Sequence, residues 1–412
     1  MDSSTSLYFA NSFFVLVGAC LVFIMHIGFS CVEVGMCRSK NAANIAMKNV
    51  MTVAIGVVVY FLVGYGFMFG QDAGHFIGLS NFCLAGISPS SVMEGAGVNN
   101  YIYFFWEGIF CATCATIVSG AMAERTNFFA YLFFCAVAAS VIYPIMGHWI
   151  WTSDGWLSLL GCHDYAGGLI VHALGGTCAL VGAKMVGPRI GKYNKDGSPN
   201  AIPGHNLIYA TIGVLLLFFG WFGFNGASSL DITADATYIS EVSTFIGGAV
   251  GGLTAALLTL ALYHKVDPGM VLNGILAGLV GVTPGADVFS PMASLIVGIL
   301  AAGAMTFAVP FVDEKLKIDD PVGALSVHGV GGITGTLCVG LFSMENGLFY
   351  GGGIHQLLMQ VLGLVVILPI GAALTYVTFR IAGVLFHGIR VEAEDEIIGL
   401  DECEHGMSAY GD

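Results

Sequence analysis

Two octapeptides decide the fold: Leu169-Ile-Val-His172-Ala-Leu-Gly-Gly176 and Leu325-Ser-Val-His328-Gly-Val-Gly-Gly332. Each has the form Val-His-x-x-Gly-Gly and stands in the first half of an apolar run long enough to cross a bilayer, for which about 20 residues are needed. Reading outward gives eleven such runs, roughly 7–36, 45–70, 100–122, 127–150, 165–187, 205–228, 240–263, 268–284, 289–311, 322–343 and 353–388. The two octapeptides fall in the fifth and the tenth. One is odd and the other even, so the two spans cross in opposite directions. That predicts an inverted repeat of spans 1–5 and 6–10 with span 11 added, and a functional site near the midplane between the halves.

Composition agrees. Of 412 residues, 56% are apolar and only 10% charged, against about 25% charged in an ordinary soluble domain. A soluble globule of this size needs more charged surface than 13 Lys+Arg and 27 Asp+Glu supply. A soluble enzyme, a nucleic-acid binder and a disordered chain are excluded. With 58 glycines, close helix packing is expected. The net charge of −14 is largely a tail, since residues 392–412 carry eight acids and no Lys or Arg.

The basic residues set the orientation. Arg38, Lys40 and Lys48 follow span 1, and Arg125 follows span 3. Lys184, Arg189, Lys192 and Lys195 follow span 5, and Lys265 follows span 7. Lys315 and Lys317 follow span 9; Arg380 and Arg390 end span 11. The remaining loops carry acids only, among them Asp72, Glu94, Asp154, Asp231, Asp235, Glu241 and Asp287. The positive-inside rule then predicts an outer N-terminus and a cytoplasmic C-terminus. The first span has no basic leader and no evident cleavage site, so it reads as a true span.

Histidine inside a membrane helix is costly and faces a partner or a cavity. Two in matched contexts, related by a pseudo-two-fold axis, are expected to converge as a facing functional pair. His172 and His328 alone are compatible with a proton relay, a metal site or a polar pore lining. No carboxylate or Cys stands at ligand spacing on the same faces, which counts against metal. Asp164 precedes His172 by eight residues, about 12 Å along a helix. It reads both as a helix N-cap and as a fixed negative charge near the pore. Cys111-Ala-Thr-Cys114 has no second pair and reads as helix packing. A disulfide between Cys83 and Cys162, both in loops expected outside, is compatible with the pattern. Aromatic clusters at His148-Trp149-Ile-Trp151 and Trp221-Phe222-Gly-Phe224-Asn225-Gly-Ala-Ser228 suit an interfacial belt or a cage for a small cation.

These residues, and stretches running nearly end to end, carry a resemblance to a known family. They include Gly28-Phe-Ser-Cys-Val-Glu-Val-Gly-Met-Cys-Arg-Ser-Lys-Asn41, Ala115-Thr-Ile-Val-Ser-Gly-Ala-Met-Ala-Glu-Arg125 and Asp164-Tyr-Ala-Gly-Gly-Leu-Ile-Val-His172. They continue with Ile202-Pro-Gly-His-Asn-Leu207, Gly278-Leu-Val-Gly-Val-Thr-Pro284, Asp319-Asp-Pro-Val-Gly-Ala-Leu-Ser-Val-His328 and Gly399-Leu-Asp-Glu-Cys-Glu-His-Gly406. The chain resembles the ammonium transporters (Amt/Mep/Rh), and their microbial Amt branch most. The resemblance implies an all-α membrane domain over 1–388 and a cytoplasmic acidic regulatory segment over 389–412. It implies an outer ammonium site of Phe110, Trp151 and Ser228, with Asp164 as the vestibule aspartate. Phe110 and Phe224 match the stacked gate above the twin histidines His172 and His328. It also implies a homotrimer in the lipid of the cell membrane, no cofactor, and a C-terminal segment open to a PII-type regulator or a cytoplasmic signalling domain.

Two departures stand out. Trp106-Glu107 occupies a place where the family often has Phe-Gln. Glu107, three residues before Phe110, reads either as a stand-in for Gln or as an additional carboxylate that tightens ammonium binding. Tight binding suits a receptor better than a conductor, because conduction requires the ion to leave again. So an Amt-type ammonium sensor is the rival to a transporter. His26 replaces a common glutamine, with no mechanism attached. An enzyme lacks any Gly-x-Ser-x-Gly motif to accompany the histidines, and an aquaporin-like pore lacks Asn-Pro-Ala. The tail is expected to dock on the basic loops near Arg38, Lys40, Arg189 and Lys192.

Overall fold

The computed structural model describes residues 3–93 and 95–411 and, among them, is helical with no strand. Glu94, one of the acids expected in an outer loop, lies outside the described residues. Eleven helices have the length and apolarity to cross a membrane. They are α1 (Ser4–Met36), α2 (Ser39–Phe69), α3 (Asn100–Ala121), α4 (Phe128–Leu159), α5 (Gly168–Val186) and α6 (Leu207–Ser229). The rest are α7 (Asp235–Tyr263), α8 (Pro268–Gly285), α9 (Pro291–Glu314), α10 (Leu325–Phe342) and α11 (His355–Leu385). Two short helices, α12 (Ala393–Ile398) and α13 (Leu400–His405), follow in the tail.

The chain punctuates these helices with familiar devices. Asn99, Asn127, Asn206, Asp267 and Ser290 cap α3, α4, α6, α8 and α9 with side-chain oxygens, each satisfying an orphan N–H of the first turn. Helices α3, α5 and α8 are buried among the others, while α7 and α11 turn large apolar side chains such as Phe245, Leu253, Val365 and Val384 outward. In a bilayer that outward face is solvated by lipid. The molecule is a multi-pass membrane protein.

The inverted repeat shows in how its two halves pair. Helices α1 and α6, the first of each half, cross through glycines. A Cβ on Gly28 would meet Gly213 O at 2.9 Å, and one on Gly213 would meet Gly28 O at 2.6 Å. Without those side chains the backbones approach directly.

The basic side chains lie at one end, but four sit inside helices rather than in loops: Lys40 and Lys48 in α2, Lys184 in α5 and Arg380 in α11. Lys48 is buried and donates its Nζ to Thr126 O at 3.1 Å. The tail returns to this basic end. Its backbone pairs with the α3–α4 loop, Val391 N donating to Arg125 O and Asn127 N to Ile389 O. Gly399 stands between α12 and α13 at φ +125°, where a Cβ would strike Lys40 O at 2.6 Å. Only glycine suits both the angle and the approach.

Of the four basic residues expected under the tail, only Lys40 meets it, and it does so by donating to the backbone carbonyls of Glu396 and Ile397. The other three are held by nearer acids: Arg38 by Glu124, Arg189 by Glu124 and Asp319, and Lys192 by Asp313. The tail's carboxylates work differently. Glu396 accepts from Ile190 N at 2.6 Å and pairs with Arg390. Asp401 accepts from Ala43 N and Asn44 N at the start of α2, where anions are favoured. Cys83 and Cys162 are both free, the first exposed and the second buried against Gly363.

Candidate functional site

Asp164 and Asp320 build the site from its backbone. Each stands eight residues before a histidine, and each accepts backbone N–H groups where a span begins. Asp164 Oδ2 takes those of Leu169 and Ile170 at 3.1 and 2.9 Å. Asp320 takes those of Val322, Gly323 and Leu325. The segments that follow, Gly168–Ala173 and Leu325–Val330, are both π-helical turns, a widening that recurs at functional sites. The glycine pairs then let α5 and α10 touch. A Cβ on Gly176 would stand 2.2 Å from Gly329 N, and one on Gly332 would stand 2.7 Å from Ala173 N. Gly176 and Gly332 are each four residues after a histidine, and Gly329 and Ala173 each one after, so the contact is symmetric.

That contact brings the imidazoles together. His172 Nδ1 and His328 Nδ1 are 3.2 Å apart, with the rings 15° from parallel. Both are buried, and His172 Nε2 has no hydrogen-bond partner among the described residues. Trp221 lies flat against His172, centroids 5.1 Å apart, and donates its Nε1 to Thr283 Oγ1. Trp221 is therefore buried against the histidine pair rather than part of an interfacial belt. Phe29 covers His328 at 5.8 Å.

On the side away from the basic end, Phe224 sits 5.4 Å from His172 and stacks on Phe110 at 4.1 Å. Phe224 too is carried by a π-helical turn, Phe222–Gly226. Above the two rings is a cavity of about 170 Å³ lined by Tyr103, Trp106, Glu107, Phe110, Trp151 and Ser228, together with Tyr165 and Leu230. It adjoins a wider basin of about 680 Å³ that shares Tyr103, Trp151 and Leu230 with it and holds Asp72, His148 and Asp154.

The structure brings Glu107, Phe110, Trp151 and Ser228 to that one cavity, as the sequence reading expects. Asp164 is different. It is buried behind Trp151, whose Nε1 donates to Asp164 O at 2.6 Å, and its side chain is turned into α5. Burial pushes its carboxyl up to about 6, against the opposing pull of the Ile170 and Leu169 amides. It acts on the site by fixing backbone, although its Oδ1 has no partner among the described residues.

Ser228 Oγ donates to Phe224 O at 2.7 Å. With its hydrogen so used, its lone pairs face the cavity as acceptors. Glu107 Oε2 accepts from Tyr143 OH at 3.3 Å. Tyr103, Tyr143 and Asp320 escape a reading by motif. The shared eight-residue spacing of Asp164 and Asp320 to the histidines is the signal that finds the last of them.

A cavity above two stacked rings and a facing histidine pair beneath them, carried by α5 and α10, are now on the page. The Ammonium Transporter Family model matches residues 13–410. The chain belongs to that family. The ammonium transporter Amt2 of Archaeoglobus fulgidus is 39% identical, the match covering 96% of this chain and 87% of its own length. Ammonium transporter 3 of Dictyostelium discoideum is 33% identical over 98% of this chain and 94% of its own length. Among solved structures, one titled a sensor Amt protein superposes at TM-score 0.91 with 37% identity, covering 97% of this chain and 99% of its own. Candida albicans Mep2 superposes at 0.86 with 28% identity, over 96% and 89%. The two curated relatives are named as transporters, not as enzymes.

Proposed function

We propose that this family member moves ammonium across the cell membrane as ammonia plus a proton, N-terminus outside, with His172 and His328 as the proton path. The observation that carries the reading is the 3.2 Å Nδ1–Nδ1 contact beneath the stacked Phe110 and Phe224. An intact ammonium ion is very unfavourable in so apolar a passage. Each aromatic face offers the cation about 0.5–2 kcal/mol, which compensates its lost water only in part.

Phe110, Trp151, the lone pairs of Ser228 and the carboxylate of Glu107 hold ammonium in the cavity above the gate. As it passes the gate it gives a proton to His172 Nε2, which is free to accept. His172 passes its Nδ1 proton to His328 Nδ1, and ammonia crosses neutral. Potassium has no proton to give and is refused. Asp164 and Asp320 hold the two π-helical turns that aim the rings. Residues 1–388 form the conducting domain of a homotrimer in membrane lipid. Residues 389–412 are its cytoplasmic regulatory segment, open to a PII-type protein.

Two observations favour a second reading as an ammonium sensor: the extra carboxylate of Glu107 in the cavity and the likeness to a structure titled a sensor. In that case the C-terminal segment leads to a cytoplasmic signalling domain. The ammonium-evoked current of proteoliposomes on a solid-supported membrane separates the readings. Transport gives a sustained current that grows with the ammonium gradient. A sensor gives no sustained current above that of protein-free vesicles.

A further inference from the structure

Glu33, in the last turn of α1 at the basic end, is buried at 2% exposure. Its Oε2 accepts from Ser119 Oγ of α3 at 2.8 Å and from Asn49 Nδ2 of α2 at 3.1 Å. Thr116 Oγ1 donates to Asn49 Oδ1 at 2.9 Å, which fixes the amide with its N–H groups toward Glu33. Both donors converge on one carboxylate oxygen and leave Oε1 clear of them.

Glu33 and His328 line the same small cavity, between Phe29, Ile117 and Val327. Its volume is about 20 Å³, room for a single water. The cavity lies on the opposite side of the histidine pair from the Phe110–Phe224 gate, toward the basic end. Lys48 of α2 and Asp320 at the start of α10 are the charges facing Glu33 there.

We propose that Glu33 accepts the proton that the histidine pair hands on, through one water in this cavity. The proposal rests on the proton-separating reading above. The His328 Nε2–H bond breaks as its proton passes to the water, and a proton of that water forms a bond to Glu33 Oε1. The carboxylate becomes a carboxylic acid, and no atom changes oxidation state. Loss of that proton to solvent at the basic end restores the carboxylate. Without an acceptor here the proton would leave the pair as a cation in an apolar pocket, which is strongly disfavoured. Glu33 thus gives the proton a station on the far side of the pair, where ammonia leaves the pore and can take it up again.

The test uses full-length protein in liposomes, with Glu33→Gln and Glu33→Asp beside the wild type. Gln keeps the size and an acceptor for Ser119. The charge moved per ammonium pulse is recorded on a solid-supported membrane. In Glu33→Gln it falls by about 100-fold, the scale of a lost proton-transfer group, while the half-saturating ammonium concentration stays that of wild type. Glu33→Asp keeps the current and shifts its dependence on the pH at the basic face. A wild-type current in Glu33→Gln overturns the role of Glu33 and leaves the histidine pair standing. A wild type that itself moves no sustained charge overturns both. If Glu33→Gln does not elute from size exclusion like the wild type, Glu33→Asp decides, and an unshifted pH profile overturns the proposal.

Discussion

His172 and His328 meet Nδ1 to Nδ1 at 3.2 Å, a geometry in which one ring must donate and the other accept. The pair can therefore hold one proton between them and pass it on, and it is doubly bracketed. Trp221 and Phe224 pack on His172, and Phe29 packs on His328. This apolar casing disfavours ions.

Replacing one ring breaks the link. His172→Ala is expected to lower selectivity for ammonium over potassium by at least about tenfold, or to stop ammonium-driven current, as a lost general acid–base group does. Competition currents at fixed ammonium with rising potassium measure it. Wild-type selectivity in the variant contradicts the relay.

The rings are aligned by backbone contact, so small additions behind them should be felt. A Cβ on Gly176 would stand 2.2 Å from Gly329 N, and one on Gly332 would stand 2.6 Å from Gly168 O. Gly176→Ala and Gly332→Ala are each expected to destabilise by about 1–3 kcal/mol through overpacking. A lower thermal midpoint in detergent, with reduced flux, is the readout. Gly303→Ala, which meets nothing within 4 Å, is the silent control.

Much of this was legible in the sequence, and the reasons are physical. Apolar length alone marks a span, so the eleven helices fall within a few residues of expectation, except that α2 begins at Ser39 and α7 at Asp235, and that a separate short turn, Trp156–Leu159, follows the end of the continuous helix of α4 at Trp151. The repeated Val-His-x-x-Gly-Gly motif reports both the facing pair and the crossing of α5 on α10. Of the expected tail contacts, only the one at Lys40 was legible. Arg38, Arg189 and Lys192 have acids nearer than the tail, and those acids, Glu124, Asp319 and Asp313, come from distant parts of the chain. Nor does a residue's place in a motif tell which way it turns. Asp164 points into the start of α5, and Trp221 turns inward to His172.

The Glu107 carboxylate should matter to affinity. Glu107→Gln is expected to weaken ammonium binding about tenfold, equivalent to about 1.4 kcal/mol. Titration calorimetry on purified protein measures it. An unchanged affinity makes Glu107 a neutral stand-in for glutamine and removes one support of the sensor reading.

The basic end carries a buried ion pair with a defined pH signature. Asp319 Oδ1 and Oδ2 accept from Arg189 Nη2 and Nε, both at 2.9 Å. Burial alone would raise the Asp319 carboxyl, but its bonds to Arg189 outweigh that and hold it near about 2. A carboxyl lowered in the folded state contributes stability that is full above its unfolded value of about 3.9. That stability is lost as pH falls toward about 2. Asp319→Asn is expected to cost about 3–5 kcal/mol at neutral pH by leaving Arg189 short of charge. It should also flatten the acid limb of a melting-temperature profile between about pH 4 and 2. An acid limb as steep as wild type contradicts the assignment.

Docking of the tail rests on Asp401 at the start of α2. Asp401→Ala is expected to cost about 1 kcal/mol, as lost caps do, and to speed hydrogen exchange at the Ala43 and Asn44 amides. Exchange at the wild-type rate would mean that the tail is held elsewhere.

The central claim is that ammonium leaves its charge at the gate and that the proton crosses by the histidine pair. The most direct measurement is the ammonium-evoked current of purified wild-type protein in liposomes on a solid-supported membrane, at two protein densities. Electrogenic transport predicts a current whose decay quickens as protein density rises. A small current with the same decay at both densities would mean binding without charge crossing, and would contradict the account.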